Sequence, residues 1–180
     1  MKTKSYFFIF ILLILFSCGN SGNKKKILAE NTGLQNEIIL VMEDKYWEGE
    51  SGQLLRDIFE REMSGLPQPE QFFNLVQINT SEFSRFFRTH KNIIFASTEL
   101  KDSYIKNKWA KAQIVMYLNC SKVDDGFRKS CIKSFNFINR KELENIKYGY
   151  NKGHNKKARK HIKDNFGIDL LLPTEYTISN

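Results

Sequence analysis

Apolar positions along the chain fall into three patterns. The first is an uninterrupted run, Tyr6 to Phe16. The second is a set of short runs rich in β-branched and aromatic residues: Glu37–Met42, Phe72–Asn79, Asn92–Ser97 and Gln113–Asn119. They predict four buried strands. The third has helical period. Leu54, Leu55, Ile58, Phe59 and Met63 form one stripe that opens near Ser51, a good N-cap, and is closed by Gly65, Pro67 and Pro69. Ser81 can cap a short helix bearing Phe83, Phe86 and Phe87. Phe127, Cys131, Phe135 and Ile138 predict a helix over 122–139. Leu143, Ile146, Tyr150, Ala158, Ile162 and Phe166 carry the period through a basic segment towards Gly167, a natural C-cap. Gly149 and Gly153 weaken its middle, each by about 1 kcal/mol relative to Ala. Ile168–Leu172 and Tyr176–Ser179 read as strand pieces around Pro173. Residues 99–111 are polar around Trp109 and are assigned no element. The order of elements predicts an α+β fold: one sandwich-like domain, its sheet covered by helices mainly on one face.

The first run is about half the length of the ~20 residues that a spanning helix requires. Lys2 and Lys4 precede it, so it has the make-up of a signal peptide. It ends in Leu15-Phe16-Ser17-Cys18 followed by Gly19, which resembles the bacterial lipobox. The resemblance implies cleavage before Cys18 and lipid on its thiol. One acyl chain gives only marginal binding, and a second makes an anchor firm. The expected organisation is a signal peptide over 1–17, a polar flexible tether over 18–35 containing Lys24-Lys25-Lys26, and the α+β domain over 36–180.

Composition narrows the picture further. At 41% hydrophobic and 13% aromatic, the chain can bury a real core. Without the signal, 26 basic residues stand against 20 acidic ones, a net charge of about +6. That favours anionic partners such as lipid head groups, or marks a Lys-rich solvated surface. Export excludes nucleic acid as a partner. Cys120 and Cys131 are too few for a disulfide scaffold.

The familiar catalytic signatures are absent: no HExxH, Gly-x-Ser-x-Gly, P-loop, Gly-x-Gly-x-x-Gly after a strand, or CxxC. His154 and His161 are seven apart and surrounded by bases, so no metal and no cofactor is expected. Two groups of residues stay open as binding sites. Trp47 with Glu48 and Glu50 could form a ligand loop, since an aromatic face beside carboxylates suits a sugar or acid–base work. It could equally be a Trp packed over a Gly turn beside a helix N-terminus. Lys156, Lys157, Arg159, Lys160 and Lys163 could meet an anionic surface, or be a solvated helix face.

Several segments together resemble a known family. They are Glu37-Ile-Ile-Leu-Val, Trp47-Glu-Gly49 with Gly52, Leu66-Pro-Gln-Pro-Glu70, His90-Lys91-Asn92-Ile93-Ile94, and Phe166-Gly-Ile168 with Pro173 and Tyr176. They are similar to domain of unknown function 4837, lipoproteins of Bacteroidota without assigned activity. In that family Arg stands where this chain has Lys91, and further strands follow the Pro-x-x-Tyr segment. The resemblance therefore implies a shortened member. The expectation is a non-enzymatic envelope lipoprotein that binds a partner or maintains the envelope, with an envelope protein as candidate partner. Residues 19–26 carry no acid, which points to the periplasmic side of the outer membrane. The competing expectation is a hydrolase acting on an envelope glycan or lipid through the loop at Trp47.

Overall fold

The computed structural model describes residues 27–177. The signal peptide, Cys18 and Lys24-Lys25-Lys26 lie outside the described residues. Five strands form one mixed sheet: β1 (Glu37–Val41), β2 (Asn74–Ile78), β3 (Asn92–Ser97), β4 (Ser103–Lys106) and β5 (Ile114–Asn119). Their order is β2-β1-β3-β5-β4. The first four are mutually parallel, and only the edge strand β4 runs antiparallel to its neighbour. The helices are α1 (Asp44–Trp47), α2 (Glu50–Phe59), α3 (Asp125–Lys152) and α4 (Lys156–Phe166), with a 3-10 turn at Arg85–Thr89. The fold is α+β, as predicted, in a single domain.

Strand alternation sorts the core into two layers. Ile38 and Leu40 of β1, with Met42 just after it, face α2 and α3 together with Ile94, Ala96, Met116 and Leu118. α2 presents Leu54, Leu55, Ile58 and Phe59 to this layer, each fully buried apolar side chain contributing ~1.5–3 kcal/mol. α3 adds Phe127, Cys131, Phe135 and Ile138. Phe59, Phe73 and Phe135 meet edge to face or tilted, with centroids 5.5–6.2 Å apart. The other face has no long helix. Ile39, Val41, Ile93 and Val115 are covered there by Phe83, Phe87, Phe95, Trp109 and Tyr117. Among the described residues the helices therefore pack mainly on one face, and aromatic side chains from the strands and their connections close the other.

Part of the segment expected as a tether over 18–35 is tied to the sheet. Ala29 bridges to Ala110 and Thr32 to His90. The N–H of Lys111 donates to Ala29 O, and that of Lys91 to Thr32 O, both at 2.9 Å. Residues 29–34 thus form a strap across the amino ends of β3 and β5.

α3 is one helix of 28 residues, about 42 Å long. The helix expected over 122–139 extends through Gly149 to Lys152, and the interruption falls at Gly153. Asp124 caps it, its side chain accepting from the N–H of Phe127. The helix crosses the sheet from the carboxyl ends of the strands to the amino ends. A six-residue strand spans only ~20 Å, so the last turns of α3 overhang the amino edge. Asn155 caps α4, and its backbone and side chain tie to Leu172 O and Tyr176 O. Residues 168–172, expected as a strand, find no partner ladder among the described residues; they are held through Leu172 O and Asp169, and an isolated bridge joins His154 to Pro173 just after them. Met63 also leaves its predicted helix, because α2 ends at Phe59 and the chain turns back through a Glu62–Gln71 bridge. β4 arises inside the polar segment that carried no prediction.

Candidate functional site

Trp47 ends α1, and α2 begins three residues later, so the corner between them is tight. A Cβ on Gly52 would lie 1.9 Å from Trp47 O, which leaves no room for any other residue. Arg56 locks the corner from α2. Its Nη1 donates to Trp47 O at 3.1 Å, and its guanidinium sits 4.2 Å from the indole centroid. The inner side of Trp47 packs on the core. Glu48 and Glu50 point into solvent, and Asp44 accepts from Gln77 Nε2 at 3.0 Å. The Trp-x-Gly-x-x-Gly segment is therefore a packed corner, and its carboxylates are not gathered around the Trp.

The concentrated polar chemistry lies at the amino ends of the strands. His90, Asn92 and Gln113 are buried there, and Glu142 of α3 reaches in from above. His90 is held on both nitrogens: Nδ1 by Asn92 O at 2.9 Å and Nε2 by Glu37 Oε2 at 3.0 Å. The N–H of Asn92 also approaches Nδ1, at 3.3 Å. Glu37 also accepts from the N–H of Leu34 at 3.1 Å. The bond from His90, then that from Leu34, hold the Glu37 carboxyl below the usual carboxylate range. Gly33 lies flat on the imidazole with φ +98, and a Cβ there would fall 2.2 Å from Nε2. Glu142 uses one oxygen for Lys91 Nζ at 2.9 Å and the other for Asn92 Nδ2 at 2.7 Å. Gln113 spends its amide NH2 on Arg88 O and His90 O, and its oxygen on the N–H groups of Trp109 and Ala110.

This network joins the strap, three strands and α3 at one point, and among the described residues no buried side-chain polar atom lacks a partner. Its chemistry is that of a clamp, because His90, Gln113 and Glu142 are each bonded to other parts of the fold. It also lies at the edge opposite the carboxyl ends of parallel strands, where α/β sheets hold ligands. Sequence reasoning passed over it. The available signal was Glu142, which falls on the apolar stripe of Phe127, Cys131, Phe135 and Ile138 and so demands a buried cation.

The basic cluster is split between salt bridges and free surface. Arg159 grips Asp169 through Nε at 2.5 Å and Nη2 at 2.8 Å, lowering the Asp169 carboxyl. Lys160 pairs with Asp164 at 2.5 Å. Lys156, Lys157 and Lys163 are exposed. The two described thiols are free and buried. Burial pushes Cys131 up to about 12 and also raises Cys120. An open groove of about 420 Å³ runs between α3 and the β4–β5 edge, floored by Met116, Leu118 and Phe137. Asp102 on its rim accepts from Asn119 N at 2.8 Å and from the Ser130 hydroxyl, so its carboxylate serves the fold. Among the described residues no three His, Cys, Asp or Glu side chains are grouped to hold a metal, and no helix is long and apolar enough to cross a membrane.

A family model described as domain of unknown function DUF8532 matches residues 31–147. The chain belongs to this family. The match begins in the strap and ends just past Glu142, so the DUF8532 unit has the clamp at both its limits. It is an uncharacterised domain, as the resemblance implied, although the family matched is DUF8532 and not 4837. The end of α3 from Tyr148 onward and all of α4 lie beyond the matched DUF8532 residues. No curated protein and no solved structure matches the chain.

Proposed function

We propose that this DUF8532 protein is an envelope lipoprotein of the kind carried by Bacteroidota, held by lipid on Cys18 and acting by binding rather than turnover. The observation that carries the reading is the Leu15-Phe16-Ser17-Cys18 sequence behind an eleven-residue apolar run and two lysines. The described domain supports it in two ways. Its buried His90 and Glu142 are engaged in the clamp, and the carboxylates at Trp47 stand apart in solvent. A hydrolase at that loop would need a carboxylate desolvated beside its substrate, and no observation favours one. The strap also starts the folded domain at the amino edge, a few residues after the tether. The acid-free stretch behind Cys18 supports the periplasmic side of the outer membrane, where an envelope protein is the partner to seek.

The test is palmitate labelling in the native host with the Cys18→Ser variant alongside. The native chain takes label and sediments with membranes. The variant takes none and is released or stalls as precursor. Labelling that persists without Cys18 ends the proposal. Digestion of the domain by protease added to intact cells would contradict the periplasmic side.

A further inference from the structure

The end of α3, α4 and the turns after it form a lobe that makes no extensive contact with the sheet. It is nevertheless built. Asn155 and Arg159 tie α4 to the segment around Leu172, Tyr176 and Asp169, and Ala158 is buried between them. Residues 147–163 hold seven Lys or Arg and no acid. Asp164 and Asp169 neutralise only Lys160 and Arg159, and Lys156 and Lys157 meet no acid among the described residues. The same lobe exposes large apolar groups: Tyr148 at 62%, Phe166 at 66%, Ile168 at 56% and Tyr176 at 57%. Cations interleaved with exposed aromatic and aliphatic side chains match the boundary between lipid head groups and acyl chains.

Placement supplies the second line of argument. The clamp fixes Glu142 at the amino ends of the strands, so everything after it projects from that edge. The strap, with Ala29 against Ala110, brings the chain in at the same edge. Eight residues lie between Cys18 and Ile27, so the two are at most ~30 Å apart. Where the lipid enters the bilayer, the basic lobe is close to its surface.

We propose that this lobe is a docking face for an anionic phospholipid surface, a second attachment beside the anchor that orients the domain with its amino edge towards the membrane. The orientation rests on the lipoprotein reading, but the docking itself does not.

The test uses the chain from residue 18 onward with Cys18→Ser, which contains every described residue and no lipid. It is sedimented with phosphatidylcholine vesicles, with and without phosphatidylglycerol, at low and high salt. Binding is expected only with the anionic lipid and is lost at high salt. Lys156→Glu/Lys157→Glu should weaken it by about tenfold or more, since each cation near the surface counts separately. Lys122→Glu/Lys129→Glu, the same charge change at the carboxyl edge, should bind like the parent. Lys156→Gln/Lys157→Gln gives the same direction if the reversed pair fails to fold. No binding, equal binding to neutral vesicles, or equal loss in the Lys122/Lys129 variant overturns the proposal. None of these results touches the palmitate experiment, which tests the anchor alone.

Discussion

Glu142 and Lys91 meet at 2.9 Å with 6% and 13% of their side chains exposed, and this ion pair decides where α3 lies on the sheet. Lys91 stands just before β3, and Asn92 beside it takes the second carboxylate oxygen. Removing one partner of a buried pair strands the other charge, at a cost of about 3–5 kcal/mol. Glu142→Leu should therefore lower stability by that order in urea unfolding. Lys91→Met/Glu142→Leu, which removes both charges, should recover most of the loss. Equal losses in the single and double variants would mean that the pair is not coupled.

The Glu37 carboxyl is lowered from 4.5 chiefly by His90, with Leu34 N–H and the Lys91 charge in the same direction. A lowered folded-state value means that its stabilisation is complete above the unfolded value and fades as pH falls through the folded one. Glu37→Gln should be less stable than the native chain at neutral pH, and the gap should close under acid. A gap that is constant with pH contradicts the clamp. Gly33→Ala should destabilise at every pH, because the methyl would enter the imidazole and the backbone is left-handed there.

At the Trp47 corner, Gly52→Ala should destabilise by ~1–3 kcal/mol through overpacking against Trp47 O. Glu48→Gln/Glu50→Gln should leave the thermal midpoint within a degree or two, as surface changes do. A large effect of the acids on any measured binding would revive a ligand role for this loop.

Cys120 and Cys131 should resist a thiol reagent in the folded chain and react once urea opens it. Burial raises both thiols, Cys131 to about 12, and only the thiolate reacts. The measurement is alkylation of the Cys18→Ser chain at mildly alkaline pH. Rapid labelling without urea would show that the α3–sheet interface opens readily.

The amphipathic stripe of α2 and the β-branched runs of β1 and β3 were legible in the sequence because burial imposes a period on them. β4 was not. All four of its residues are exposed, so no alternation marks it, and only its pairing with β5 makes it a strand. Ile168–Leu172 misled for the converse reason: apolar residues in a row look like a strand, but a strand needs a neighbour. Helical period also carried α3 further than Gly149 implied, since an exposed glycine costs too little to break a long helix. The clamp depended on pairings across 50 or more residues, Asn92–Glu142 and His90–Glu37, which local patterns do not record. The Trp-x-Gly-x-x-Gly loop was visible as a motif, and the close approach of Gly52 explains it as packing.

The strand order has a kinetic consequence. Only β4 and β5 are neighbours both in the chain and in the sheet with a short turn between them. Each parallel pair closes a longer loop, the longest joining Ile39 to Ile93. Loop closure costs entropy before any contact rewards it, which slows folding. Before the strap settles, the amino edge of the sheet lacks its cover. A chain already held at one end would search for that closure beside a surface rather than in free solution, and its refolding rate should differ between the tethered and released forms.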